Sequence, residues 1–171
     1  MTTDLRTLVL MRHATAEPTG ATDVARALTP RGRHEATDTG VWLASQGFAP
    51  DHALVSGATR TRESWAAASE AAGWSISVDP DDSLYAAGPD ATLDLVRAVP
   101  EQARALLVLG HNPTVAYLAQ LLSDGAGDPE LVRQMALGFP PATAVLMTVG
   151  TTWADLDVAG ARVVGFRGGR R

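Results

Sequence analysis

Short apolar runs alternate along this chain with amphipathic stretches of helical period, and that alternation restricts the fold to a sheet with helices on its faces. Strands are expected at 5–11, 53–56, 75–78, 105–109 and 143–149, with weaker ones at 152–158 and 162–166. The last three follow one another across Gly150 and Gly160 and read as hairpins at a sheet edge. Between the strands, Thr29-Pro30 is an N-cap followed by a first-turn proline, and its helix runs on to Gly47, a good residue for leaving a helix. Further helices are expected at 59–72, 90–98 and 114–123, the last with Val115, Leu118, Leu121 and Leu122 as its buried stripe. DGAGDP, 124–129, reads as a loop. The expected architecture is therefore α/β with three layers, a mostly parallel sheet flanked by helices. One domain over residues 1–166 and a flexible basic tail over 167–171 complete the expectation.

Composition narrows the partners. The chain has 171 residues and a net charge of −5, which argues against nucleic acid, because a phosphate backbone calls for a clustered cationic face. All 14 basic residues are arginine, so a bound anion must be held by guanidinium forks or backbone amides. Cysteine is absent, which removes disulfides, thiolate nucleophiles and zinc–thiolate sites. No segment approaches the ~20 apolar residues of a membrane span, and the N-terminus lacks the apolar run of a signal peptide. A soluble protein of the cytoplasm, with no membrane partner, is expected.

In open sheets of this kind ligands bind at the carboxyl ends of the parallel strands. The first strand ends in Arg12-His13, the second runs into SGATRTRES with Ser56, Arg60 and Arg62, and the fourth runs into Gly110-His111-Asn112-Pro113. Two of the four histidines and at least two arginines thus fall at corresponding strand ends although they are far apart in sequence. Such a cationic pocket suits a phosphoryl dianion, which takes bidentate arginine donors, imidazole donors and the free N–H groups of a helix N-terminus. Asn112, read as an N-cap ahead of Pro113, would set such a terminus beside His111. An imidazole can also attack phosphorus and carry the group covalently. A metal is a poor fit, since no carboxylates cluster at these strand ends and the arginines would repel a cation.

Five segments resemble, in order, the motifs of the histidine phosphatase superfamily with its phosphoglycerate mutase-like fold, and within it the short SixA-type phosphohistidine phosphatases. MRHATAE resembles the nucleophile signature, ARALTPRGRHEA the entry into the first helix, VSGATRTRES the second-arginine segment, SLYAA a following turn, and VLGHNPTV the second-histidine segment. The resemblance implies His13 as the phosphate-accepting nucleophile, Arg12 and Arg60 as its phosphate-binding arginines, and His111 as the second histidine at the transferring group. It adds Arg26 as a further phosphate contact and Asn112 as a residue that shapes the loop and the phosphate site. No metal and no cofactor are implied.

Ala14 stands where the wider superfamily has glycine, a change the short branch also shows, and Glu63-Ser64 replaces a usual Gln-Thr, where neither residue carries the chemistry. More telling, the larger members carry an acidic proton donor where this chain reads SLYAAGPD, with no glutamate. An alkoxide leaving group needs such an acid, whose contribution is about 10²- to 10⁴-fold. An imidazole leaving group, with a conjugate acid near pKa ~6.5, needs far less help. The expectation is a metal-independent phosphatase acting on phosphohistidine of a protein. A phosphatase for a small phosphorylated metabolite and a non-catalytic phosphate-binding module are the alternatives. Outside the pocket, His34 is expected on a solvated helix face, His52 in a loop, Arg62 in surface ion pairs, and Trp42, Trp65, Trp74 and Trp153 in packing; Glu17 lies near enough to influence the pocket.

Overall fold

Residues 4–169 are described by the computed structural model. In chain order they form β1 (Arg6–Arg12), α1 (Pro30–Ser45), β2 (His52–Val55), α2 (Thr59–Ala72), a single 3₁₀ turn (Asp82–Leu84), α3 (Pro89–Arg97), β3 (Ala105–Gly110), α4 (Thr114–Leu122), α5 (Pro129–Leu137), β4 (Ala144–Val149) and β5 (Ala161–Arg167). The sheet order is β2-β3-β1-β4-β5. β2, β3 and β1 are parallel, whereas β4 runs antiparallel to β1 and β5 antiparallel to β4. The sheet is therefore mixed, with its parallel half at the β2 edge.

The two-residue period of the strands sorts the core into two layers. Leu8 and Leu10 of β1 face Leu93, Val96, Leu118, Leu122 and Trp153, beneath α3, α4 and α5. Val9 and Met11 face Leu43 and Phe48, with Trp42, Trp65 and Trp74 packed against them, beneath α1 and α2. Helices thus cover both faces, giving the three-layer α/β/α arrangement of the phosphoglycerate mutase-like fold. Each fully buried leucine or valine contributes about 1.5–3 kcal/mol of burial free energy. α1 begins as its sequence dictates, with Thr29 accepting the Gly32 N–H at 2.9 Å and Pro30 opening the first turn. It leaves through Gly47 at φ 76°. Gly40 lets α1 sit against α2, because a β-carbon there would lie 2.2 Å from the Ala68 carbonyl oxygen.

Four expectations need correction. Residues 75–78 form no strand; the chain passes the β2 edge, and its pairing there is a bridge from Ser56 to Asp81, just after Pro80, which has no N–H to give to a ladder. Residues 152–158 form turns, because their inward residues, Trp153 and Leu156, lie three apart and not two, and both are fully buried. The indole N–H of Trp153 donates to the Ala103 carbonyl at 2.8 Å. The loop read at 124–129 ends in a helix start that the sequence reading passed over: Asp128 caps the Glu130 N–H at 2.8 Å, Pro129 opens α5, and the pattern matches Thr29-Pro30. His52 is the first residue of β2 and not part of the preceding loop. At the C-terminus, Arg167 closes β5 and the Gly169 N–H donates to Thr143 Oγ1 at 3.2 Å. The rest of the expected tail, Arg170 and Arg171, lies outside the described residues.

Candidate active site

The parallel strands β1 and β3 end side by side, with Arg12 paired to Gly110. His13 follows at once, and its backbone is held from both sides: its N–H donates to the Gly110 carbonyl at 3.0 Å, and its carbonyl accepts the Ala142 N–H at 3.0 Å. The next turn is fastened to the helices on that face. Ser64 Oγ accepts the Ala14 N–H at 3.0 Å, and the buried Glu35 carboxylate accepts the Thr15 N–H at 3.0 Å and its hydroxyl at 2.8 Å. Gly32 permits this approach, because a β-carbon there would lie 2.0 Å from the Thr15 carbonyl oxygen. The segment carrying His13 is thus fixed by the sheet below it and by α1 and α2 beside it.

His13 is 8% exposed, and its Nδ1 lies 2.7 Å from the Ala14 carbonyl oxygen. A carbonyl only accepts, so Nδ1 carries the ring proton and Nε2 keeps a bare lone pair. Burial pushes the imidazole pKa down to about 3; the Ala14 hydrogen bond opposes this, and His111, Arg60 and Arg12 add to it. The ring is accordingly neutral at pH 7 and needs no base to release its lone pair.

His111 stands opposite, its ring centroid 5.3 Å from that of His13 and the rings tilted by 57°. Its Nε2 is 2.7 Å from Ser56 Oγ, which also accepts the Ala58 N–H at 3.4 Å. With Nε2 engaged by Ser56, Nδ1 is the ring nitrogen of His111 left for another partner. Burial, and then the Arg60 charge, push the His111 pKa down to about 4. Arg60, on the first turn of α2, is 5% exposed. Its Nη1 donates to the Asp23 backbone carbonyl at 2.9 Å and its Nη2 to Asp23 Oδ2 at 3.2 Å. Arg12 donates from Nη1 to the Phe139 carbonyl at 2.8 Å, and burial lowers its pKa.

Arg12 Nε, Arg60 Nε and His111 Nδ1 are buried polar atoms without a partner among the described residues. The Asn112 Oδ1 oxygen, an acceptor, is unpartnered there as well, so this end of the sheet offers both donors and an acceptor. Two cations, a neutral nucleophilic imidazole and a second imidazole with a free ring nitrogen can take a tetrahedral oxyanion, hold its charge and receive its phosphorus on His13 Nε2. Among the described residues no three histidine, aspartate or glutamate side chains gather as they would around a metal ion.

The fold therefore brings together Arg12, His13, Arg60 and His111, as the strand ends indicated. Arg26 joins only at one remove: its Nε donates to Asp23 Oδ1 at 3.0 Å and its Nη1 to the Glu17 carbonyl at 3.0 Å. Asn112 does not cap α4. Pro113 holds the N-cap position, after a cis Asn112–Pro113 peptide bond, and Asn112 Nδ2 donates to the Phe139 carbonyl at 3.0 Å, the same oxygen that receives Arg12. The expected free helix N-terminus beside His111 is thus replaced by a turn in which the Val115 N–H returns to the His111 carbonyl at 2.9 Å. His34 and Arg62 are exposed on their helices.

Two side chains at the pocket went unassigned in the sequence reading. Asp23 accepts Arg60, Arg26 and the Tyr85 hydroxyl. The Tyr85 ring meets His111 edge-on at 5.5 Å and lies under the Arg60 guanidinium at 5.8 Å. The Tyr85 hydrogen bond and the arginines hold the Asp23 carboxyl down at about 2, while Asp23 pushes the Tyr85 phenol up. Tyr85 lies in the quoted segment SLYAA. Nothing in the stretch GATDV distinguishes Asp23, which reaches the pocket by loop geometry alone.

A fold with this pocket at its parallel strand ends defines a phosphoryl-transfer protein of the α/β class. Residues 8–85 match the model of the histidine phosphatase superfamily, branch 1, a stretch that includes Arg12, His13, Arg60 and Tyr85. A protein of Mycobacterium tuberculosis strain H37Rv whose function is uncharacterized is 35% identical over 158 residues, covering 91% of this chain and 98% of the relative. Among solved structures, a candidate phosphohistidine phosphatase SixA from Nakamurella multipartitia superposes with a TM-score of 0.85 at 36% identity, covering 96% of each chain. A second such candidate, from Agrobacterium tumefaciens, gives 0.78 at 25% identity and covers 95% of this chain and 97% of its own. The chain belongs to the histidine phosphatase superfamily, and it is accordingly a phosphatase.

Proposed function

We propose that the protein hydrolyses phosphohistidine on other proteins, passing the phosphoryl group first to His13 and then to water, without a metal. The observation that carries this reading is how the acid at the pocket is engaged, with Asp23 accepting Arg60, Arg26 and the Tyr85 hydroxyl. Asp23, the carboxylate bonded to the pocket's arginine, is held ionised with a pKa of about 2, and the Tyr85 phenol beside it is raised above its ordinary value. Neither group is suited to protonate an alkoxide at neutral pH.

A phosphohistidine substrate removes the need for one. With its distal nitrogen protonated, it leaves as neutral imidazole when His13 Nε2 forms the new N–P bond and the old N–P bond breaks. One N–P bond replaces another, the ring protons stay where they are, and the charge on the phosphoryl oxygens is unchanged. Arg12, Arg60 and His111 Nδ1 hold those oxygens throughout. In the second step water attacks phosphorus, the N–P bond to His13 breaks, and inorganic phosphate departs with both protons of the water, leaving His13 neutral as at the start. The arginine charges support independence from metal, since they neutralise the dianion that a divalent ion would otherwise serve.

The test is a comparison of leaving groups in the presence of a chelator. A phosphohistidine-bearing protein should be turned over at least tenfold more efficiently, in kcat/KM, than any member of a sugar-phosphate panel. Preference for a sugar phosphate would shift the assignment to a metabolite phosphatase, and phosphate binding without turnover of either would make the protein a phosphate-binding module.

A further inference from the structure

Asp23 presents a physical puzzle: a carboxylate sits at the mouth of a pocket otherwise built for a dianion. Its side chain is 55% exposed, yet the guanidinium that it grips is almost wholly buried, so it spans the distance from the phosphoryl site to solvent. Two contacts, from Arg60 Nη2 and the Tyr85 hydroxyl, fall on Oδ2, while Oδ1 receives only Arg26 Nε at 3.0 Å. A carboxylate oxygen accepts about two hydrogen bonds, so Oδ1 has one acceptor position left. The Arg60 guanidinium also binds the Asp23 backbone, and the Val24 carbonyl accepts the Thr59 N–H at 2.9 Å, so the loop is fastened to the start of α2 and not free to swing away.

A carboxylate in this position, although partly neutralised by Arg60 and Arg26, makes the site less favourable to a leaving group that departs as an anion than the arginines alone would. The same charge favours a leaving group that carries a proton on its outer side. Resting on the phosphohistidine reading, we infer that Asp23 is the specificity-determining residue of this site: its Oδ1 accepts the distal N–H of the substrate imidazole and keeps that ring in the protonated form that can leave as neutral imidazole. Tyr85 forms the adjoining wall, with its hydroxyl fixing Oδ2 and its ring between Arg60 and His111. The carboxylate moves no proton; the N–H stays on the departing ring while the N–P bond breaks.

The experiment compares two substrates on the whole protein, phosphoimidazole and an aryl phosphate whose leaving group departs as a phenolate. Loosening of Arg60 in Asp23→Asn lowers kcat/KM for both, since both present the same phosphoryl group, so the ratio of the two values isolates the leaving-group effect. The expected result is a fall of at least tenfold in the ratio of phosphoimidazole to aryl phosphate, with Asp23→Glu recovering part of it. An unchanged ratio, with both rates and vanadate affinity reduced together, would overturn the inference and leave Asp23 as a support for Arg60. Wild-type protein that turns over the aryl phosphate and not phosphoimidazole would overturn the phosphohistidine reading itself, and this inference with it.

Discussion

The floor of the pocket and its rim are built in different ways. Arg12, His13 and His111 stand on adjacent parallel strand ends, and each is tied to backbone or to a buried partner by short contacts, as with His13 to Gly110 and Ala142 and His111 to Ser56. Asp23, Arg26 and Tyr85 stand on connecting segments, two of them in the stretch between β1 and α1, and they hold one another through charge at the solvent boundary. A rigid floor fixes the reacting atoms, which phosphoryl transfer requires above all, while a rim of loop residues can differ from protein to protein without disturbing the chemistry. On the proposed reading, the floor carries the reaction and the rim the choice of substrate.

The largest effect should come from the floor. His13→Ala removes the nucleophile and should lower turnover by about 10⁴-fold or more, with the circular dichroism spectrum and weak phosphate binding retained. Turnover within tenfold of the wild type would remove His13 from the mechanism. Arg60→Ala, at the joint between floor and rim, should weaken vanadate binding and kcat together by about 10²- to 10³-fold, the usual cost of losing an oxyanion donor from a buried site. An unchanged vanadate affinity, measured by calorimetry, would place Arg60 outside the phosphate site.

Ser56→Ala sharpens the comparison, because Ser56 touches only His111 among the four assigned groups. Loss of its hydrogen bond to His111 should reduce kcat/KM roughly tenfold, in line with a contribution of about 1.5 kcal/mol, while the Ala58 N–H loses its contact with Oγ as well. Equal activity in the variant would mean that the His111 ring is placed by something other than Ser56.

A separate effect is one of pH. His13 and His111 have folded-state pKa values depressed to about 3 and about 4, below the ordinary value near 6.5, so between these limits the unfolded chain binds more protons than the folded one. Stability should therefore decline as pH falls from about 6.5 toward 4, and the decline should be shallower in His13→Ala. Ring nitrogen shifts in NMR should report both imidazoles neutral at pH 5.5; a protonated His13 at that pH would break the contrast between a desolvated floor and a wet rim.

How far the sequence disclosed all this follows the same division. The floor was legible because strand ends can be located from apolar runs, and Arg12, His13 and His111 follow their strands directly in sequence. Arg60 was legible because it opens a helix just after β2. Asp23 was not, since no local pattern marks a loop residue whose partners, Arg60 and Tyr85, lie 37 and 62 positions away. Asn112 was misread because a proline after it suggested an N-cap, whereas the turn of the chain directs its amide to Phe139, a tertiary contact invisible at that range. In the fold, the antiparallel half was the harder part. Residues 152–158 carry strand-like composition, yet the three-residue spacing of Trp153 and Leu156 settles them as turns, and the start of α5 at Asp128-Pro129 was hidden by the glycines before it.

The central claim is that His13 itself carries the phosphoryl group between substrate and water. Mixing the protein with a radiolabelled phosphohistidine donor and quenching within milliseconds in alkali tests it directly. The account predicts an acid-labile, alkali-stable label on His13 that forms in a burst and is absent from His13→Ala. Steady turnover with no label on the protein, or a label that persists in His13→Ala, would contradict it.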